Sequence, residues 1–134
     1  MDWSNSKVMM LIGLNPSPPD EHNDDPTIRR CIRFAMGLGY GSLCMMNLFA
    51  YRATDPEEMK NQDDPVGINN DSWLRTVADA ADVIVAAWGI HGAYMGRGAI
   101  VKSILPPMKC FGLTKEGHPK HPLYLPSNSM LIEF

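Results

Sequence analysis

No apolar run in this chain approaches the roughly 18 residues of a membrane-spanning helix. The opening MDWSNSK has neither the basic start nor the apolar stretch of a secretion signal. A cytoplasmic protein with no membrane association is the expectation. Cysteine is scarce: Cys31, Cys44 and Cys110 lie far apart in apolar surroundings and form no CxxC pair. That argues against a disulfide scaffold or a paired-thiolate metal centre and leaves reduced core thiols. The four histidines form no HExxH-type ligand pattern. There is no GxxxxGK[ST] phosphate loop and no GxGxxG fingerprint, and no Ser-His-Asp or Cys-His order marks a nucleophile system.

An excess of positive charge is missing too. Twelve Lys and Arg stand against fifteen Asp and Glu, a net charge of −3. This excludes a protein that coats nucleic acid by charge alone. The distribution is uneven, however. Residues 97–120 hold Arg97, Lys102, Lys109, Lys115 and Lys120 against the single acid Glu116, whereas Asp20, Glu21, Asp24 and Asp25 crowd one short segment. A local basic face is therefore compatible with the acidic total.

What remains is ordinary for a globular chain. With 134 residues, 45% of them hydrophobic and 20% charged, the sequence has room for one domain, residues 1–134, around one core. Residues 8–12 (VMMLI) are too short an apolar run for a helix and read as a strand buried on both faces. Gly13 then lets the chain turn, while Pro16, Pro18 and Pro19 keep a helix from starting at once. Asp25-Pro26-Thr27 looks like a capped helix start, followed by Ile28, Cys31, Ile32 and Ala35 at helical spacing until Gly37, Gly39 and Gly41. Residues 43–49 (LCMMNLF) form a second buried strand, and a short helix is expected over residues 56–60.

A longer helix runs from Asn70 or Asp71 to Ala81, with Trp73, Leu74, Val77 and Ala78 on one side. Residues 82–88 (DVIVAAW) are the clearest strand in the chain. A glycine-rich stretch, residues 91–98, leads to a helix over residues 99–105, and residues 108–113 give a fourth strand. From Thr114 onward the chain is proline-rich and expected to be irregular. Alternating strands and helices predict an α/β fold. The expectation is a three-layer α/β/α sandwich on a short, mostly parallel four-stranded sheet.

Carboxyl ends of parallel strands share one edge, where open α/β sheets place ligands. Asn15 follows the first strand, Asn47 ends the second, and residues 89–91 follow the third. The loop GHPKHPLYLP (residues 117–126) follows the fourth. That edge collects amides, histidines and aromatics, which together suit a planar polar ring. Asn47 has two readings: a strand-end amide that bonds neighbouring backbone, or a group that pairs with adjacent donor and acceptor atoms of a base. Phe49 and Tyr51 are equally open between stacking and packing. His118 and His121 each precede a proline, which fixes their direction. Tyr124 and Leu125 suit either wedging into a ligand or pinning their loop to the core. Residues 91–98 are a candidate phosphate cradle through backbone amides and Arg97.

Four segments, in order, resemble the uracil-DNA glycosylase superfamily. GLNPS (13–17) is similar to its first motif, in the form found in the mismatch-specific thymine/uracil branch. MMNLF (45–49) resembles the strand whose asparagine reads the pyrimidine edge, and DVIVAAWGIHG (82–92) resembles the third strand. HPLYLP (121–126) is similar to the loop whose histidine meets the base and whose leucine enters the duplex. More of the chain resembles an uncharacterised family of small bacterial and phage proteins related to that superfamily. The segments are DDPTIRRCIRFA (24–35), NLFAYRATDP (47–56), DPVG (64–67), AAWGIHG (86–92) and GLTKEGHPKHPLYLP (112–126).

The resemblance implies a glycosylase-like fold and hydrolysis of a base–deoxyribose bond after the nucleotide leaves the stack. It implies that Asn15 positions the attacking water and that His121 stabilises charge on the departing base. Asn47 reads the base, with Gly13, Phe49 and Tyr51 around it. Leu125 takes the intercalating position, with Tyr124, Lys120 and Arg97 at the DNA. No metal or cofactor is needed. An asparagine at position 15 cannot take a proton as an aspartate can, which leaves positioning and electrostatics. Three functions follow: a DNA glycosylase for a damaged or modified base, a hydrolase of a free modified nucleoside or nucleotide, and a non-catalytic pocket for a base, a nucleotide or a partner protein.

Overall fold

A computed structural model describes residues 6–16, 26–53, 55–122, 125–126 and 129–134. The first strand, β1 (Val8–Gly13), lies in the middle of the sheet. Its residues alternate between two cores because successive side chains of a strand point to opposite faces. Met10 and Ile12 enter one core with Leu74, Ala78 and Val101. Met9 and Leu11 enter the other with Cys31, Phe34 and Ala35. Full burial of such side chains contributes about 2 kcal/mol each, which explains why an uninterrupted apolar run is needed at this position.

α1 (Pro26–Gly37) connects β1 to β2 (Ser42–Asn47), which pairs in parallel with β1. The cap expected at Asp25 lies outside the described residues. The short α2 (Pro56–Lys60) is capped by Asp55, whose side chain accepts from the Glu57 N–H. α3 (Asn70–Ala80) leads to β3 (Val83–Ala86), parallel to β1 on its other side. Tight 3-10 turns over Ile90–Gly96, kinked at Tyr94 and Met95, open into α4 (Arg97–Ile104). β4 (Lys109–Cys110) runs parallel to β3, and β5 (Ile132–Glu133) returns antiparallel to β4.

The strand order β2-β1-β3-β4-β5 gives five strands among the described residues, not four. The added strand lies in the segment expected to be irregular. It is two residues long, both exposed, and depends on its neighbours: Phe134 N–H donates to Met108 O, and the Phe134 ring meets Trp88 edge-on at 5.7 Å. α1 covers one face of the sheet and α3 with α4 the other, as the two cores record.

Three side chains sit differently from the sequence expectation. Ile28 is 42% exposed, and Phe34 takes its place in the core beside Phe111, their rings 4.5 Å apart. The buried stripe of α1 is thus Cys31, Phe34 and Ala35. Trp73 is 61% exposed because α3 turns Leu74 and Ala78 toward the sheet. β2 is only half-buried along its length, since it forms the edge of the sheet. No helix among the described residues is long and apolar enough to cross a membrane.

Candidate functional site

The strand order reverses between β1 and β3, where the chain leaves β1 for one side of the sheet and later returns on the other. Crevices outside the carboxyl ends of strands at such a reversal are where open α/β sheets bind ligands. Asn15 lies there, two residues beyond β1. Its Nδ2 donates to Tyr51 O at 3.1 Å and Ala53 O at 2.9 Å, with a longer contact to Pro16 O at 3.4 Å. Both amide hydrogens are therefore engaged with backbone, and Oδ1 is the atom left to face a ligand.

Asn47 is the register partner of Gly13. Its Oδ1 lies over that glycine: a Cβ built on Gly13 would sit 3.1 Å from it. Among the described residues no hydrogen bond engages the Asn47 side-chain amide, although its backbone oxygen accepts from Asn70 Nδ2 at 3.0 Å. Asn70 Nδ2 also reaches Leu48 O at 2.9 Å, and Arg97 donates to the same oxygen through Nε at 3.2 Å and Nη2 at 2.9 Å. Arg97 Nη2 further pairs with Asp71 Oδ1 at 2.8 Å.

This accounts for Arg97, which is 4% exposed. Expected at a DNA phosphate, it is instead a buried guanidinium bracing the end of β2. The glycine-rich stretch serves packing as well. A Cβ on Gly92 would meet Trp88 Cδ1 at 2.0 Å, and one on Gly98 would meet Trp88 Nε1 at 3.0 Å. These glycines make room for an indole, and nothing else about them requires a phosphate.

The fourth loop is anchored at several points. Leu113 and Pro119 form a bridge, Lys120 N–H donates to Gly112 O at 2.9 Å, and Gly89 N–H donates to Pro119 O at 3.0 Å. Arg30 Nε reaches Pro122 O at 3.2 Å from α1. This anchoring brings His121 beside Gly89: a Cβ on that glycine, held at φ +70°, would lie 3.9 Å from His121 Cβ. β1 is flanked by β2 and β3, so Asn47 and His121 stand on either side of the Asn15 strand. Strands about 4.8 Å apart put the backbones of β2 and β3 roughly 10 Å from each other across β1.

The remaining candidates divide. Phe49 is completely buried, with its ring 6.0 Å from Tyr94, so it packs and does not stack on a ligand. Tyr51 is half-buried against the same core. Leu125 packs partly on the core under α1, the pinning role and not a free wedge. Lys120 is exposed, its side chain passing Gly112. Tyr124 lies outside the described residues. The three cysteines are unbridged, and burial pushes the Cys110 thiol up, partly offset by the Gly112 backbone and Lys102.

Two features carry no signal in the sequence. Asn70 looked only like a helix start, yet its amide holds two carbonyls of β2's end. Lys60 Nζ lies 3.1 Å from His91 Nδ1 and 5.4 Å from the Tyr94 ring centre, linking α2 to the turns after β3. No local pattern announces either contact, because both partners are distant in sequence. A cavity of about 380 Å³ lies at the opposite edge of the sheet, lined by Asp79, Asp82, Lys109 and Glu133 among others, and holds none of the candidate residues.

A protein-family model matches residues 1–123. The chain belongs to the family described as "Protein of unknown function (DUF1643)". No curated protein and no solved structure matches it. In this DUF1643 chain the match runs from the segment before β1 to residue 123, and so takes in Asn15, Asn47 and His121.

Proposed function

We propose that this DUF1643 chain is a DNA glycosylase-like hydrolase of the uracil-DNA glycosylase type, which cleaves the N-glycosidic bond of a flipped damaged or modified base. The observation that carries the reading is the Asn47 side-chain amide. It lies at the carboxyl-end edge of the sheet, over a residue with no side chain, with no hydrogen-bond partner among the described residues. A part-buried amide with both donor and acceptor open matches the edge of a pyrimidine or purine.

In this scheme Asn15 Oδ1 accepts a hydrogen bond from a water and orients its oxygen toward C1′ of the sugar. The C1′–N bond breaks and its electron pair leaves with the base, whose negative charge His121 stabilises. The water oxygen bonds to C1′, and its proton passes to solvent because an amide does not take it up. The transition state is oxocarbenium-like, so the work lies in electrostatic stabilisation and positioning. The scheme uses no metal.

Base release from duplexes carrying uracil, hypoxanthine, a thymine mismatch, or hydroxymethylated or glycosylated bases tests the reading. Release of one class, lost in Asn15→Ala, is expected. No release from any duplex, with Asn15→Ala altering only binding, removes the catalytic role.

The burial of Arg97 favours a second reading, hydrolysis of a free modified nucleoside or nucleotide. It withdraws a cation from the surface of a chain that already carries a net charge of −3. Affinity for DNA that falls steeply with salt supports the first reading, and release only from free nucleosides supports the second.

A further inference from the structure

We infer that Asn70, Arg97 and Asp71 are positioning residues that set base selectivity by fixing the Asn47 amide; this rests on the base-reading role proposed for Asn47. β2 is half-buried and, among the described residues, forms the edge of the sheet with no neighbour beyond it to hold its end. The carbonyl of its last residue, Asn47, and that of Leu48 just beyond it are held instead by side chains. Asn70 Nδ2 bonds Asn47 O at 3.0 Å and Leu48 O at 2.9 Å, so one amide spans consecutive carbonyls. The Arg97 guanidinium closes on Leu48 O with two nitrogens, at 3.2 and 2.9 Å.

Three donors thus converge on a single carbonyl one residue from the reading amide. Charge-assisted bonds to a carbonyl are the stronger kind, and two from one planar guanidinium fix direction as well as distance. Asp71 completes the set by pairing with Arg97 Nη2 at 2.8 Å. Asn70 and Asp71 are consecutive in the first turn of α3, while Arg97 opens α4. Two helices on one face of the sheet are therefore tied to the same peptide.

Recognition of a base edge depends on placing one donor and one acceptor within fractions of an ångström. The brace supplies that placement from behind, without touching the ligand. Gly13, the register partner of Asn47, leaves room above β1 for the amide to sit at this height.

Two measurements test the inference, with Ile84→Val, a trim in the β3 core, as control. The first is the ratio of kcat/KM between the preferred base and its nearest competitor in duplex DNA. Asn70→Ala and Arg97→Lys are expected to lower this ratio at least tenfold, with the control unchanged. Asp71→Asn, which keeps an acceptor for Arg97, should retain most of the selectivity that Asp71→Ala loses. A uniform loss on all bases, equal to that of the control, makes the brace merely structural and overturns the inference. The second is the side-chain amide resonance pair of Asn47 in NMR spectra. It should shift and broaden in Asn70→Ala and Arg97→Lys but not in Ile84→Val; an unmoved pair overturns positioning whether or not a base is released. A wild-type protein that releases no base, but whose Asn47 resonances respond as described, retains the positioning and loses the glycosylase reading alone.

Discussion

Gly13 and Asn47 face each other across two parallel strands, and a methyl group on the first would lie 3.1 Å from the amide oxygen of the second. That separation is tight enough that the amide must yield by a few tenths of an ångström. Gly13→Ala is therefore expected to fold with stability within ~1 kcal/mol of wild type, since alanine is the better strand residue. Its kcat/KM for base release should fall by about tenfold, the scale expected of a sub-ångström displacement at a reacting centre. Thermal melts beside single-turnover kinetics separate the two effects.

Asn47→Asp exchanges a donor for a second acceptor at the position proposed to read the base. A base that presents an acceptor to this amide then loses a bond and gains repulsion, worth about 1–3 kcal/mol when buried. The accepted base should change, seen as a reordering of excision rates across the same duplexes. Unaltered ranking removes Asn47 from base recognition.

The engagement of Asn15 Nδ2 predicts an unusual response to a carboxylate at that position. Asn15→Ala loses the bonds to Tyr51 O and Ala53 O and should cost about 1–3 kcal/mol. Asn15→Asp replaces the donor with an anion facing those carbonyls, which raises the carboxyl above its unfolded value of about 4. A raised carboxyl contributes its stability below the unfolded value and loses it as pH rises through the folded one. Denaturant melts should therefore show Asn15→Asp close to wild type near pH 4 and progressively weaker toward neutrality, while the Asn15→Ala deficit stays flat.

Gly92 is pressed against the Trp88 indole, 2.0 Å from where a Cβ would stand. Gly92→Ala should destabilise the fold by ~3 kcal/mol or more, because backbone or indole must move within a packed core. Gly37→Ala, at the end of α1 with nothing within 4 Å, should stay within ~1 kcal/mol of wild type. Denaturant midpoints of the two variants make the comparison directly.

Burial raises the Cys110 thiol above its ordinary value of 9.0. In the folded protein at pH 8 it should resist a disulfide reagent that labels half-buried Cys44 first, and it should react fully on unfolding. Because the folded value is the higher one, the stability it contributes is present below pH 9.0 and lost as pH rises through the folded value.

The elements that could be read from the chain are those whose signal is local. Residues 8–12 and the apolar heart of residues 82–88 form strands because both of their faces are covered, which leaves a continuous apolar run in the sequence. α2 matches its expected residues because Asp55 and Pro56 mark its start. The phase of a helix is less legible. Ile28 and Trp73 are apolar and correctly spaced, but Phe34 and Leu74 win the core by a rotation that depends on the opposing sheet. β5 has too few residues to carry a period, and its pairing partner lies more than 20 residues away. Among the candidate site residues, Asn15 and Asn47 draw notice because a polar residue at the end of an apolar strand stands out. The brace was not, since an arginine in a glycine-rich stretch looks the same whether it turns outward or inward.

The tie from Arg30 to Pro122 spans 92 residues of sequence. With the bond from Gly89 to Pro119, it means that the segment carrying His121 is anchored in part by partners made much earlier. On the ribosome, β1, β2 and their asparagines emerge long before the segment that closes the edge beside them. A nascent chain halted short of Pro122 therefore holds an unfinished edge, with the end of β3 open to other strands or to chaperones. Contacts of such long sequence separation slow the final step of folding. The edge beside Asn15 and Asn47 is therefore completed only after residues 119–122 have been made.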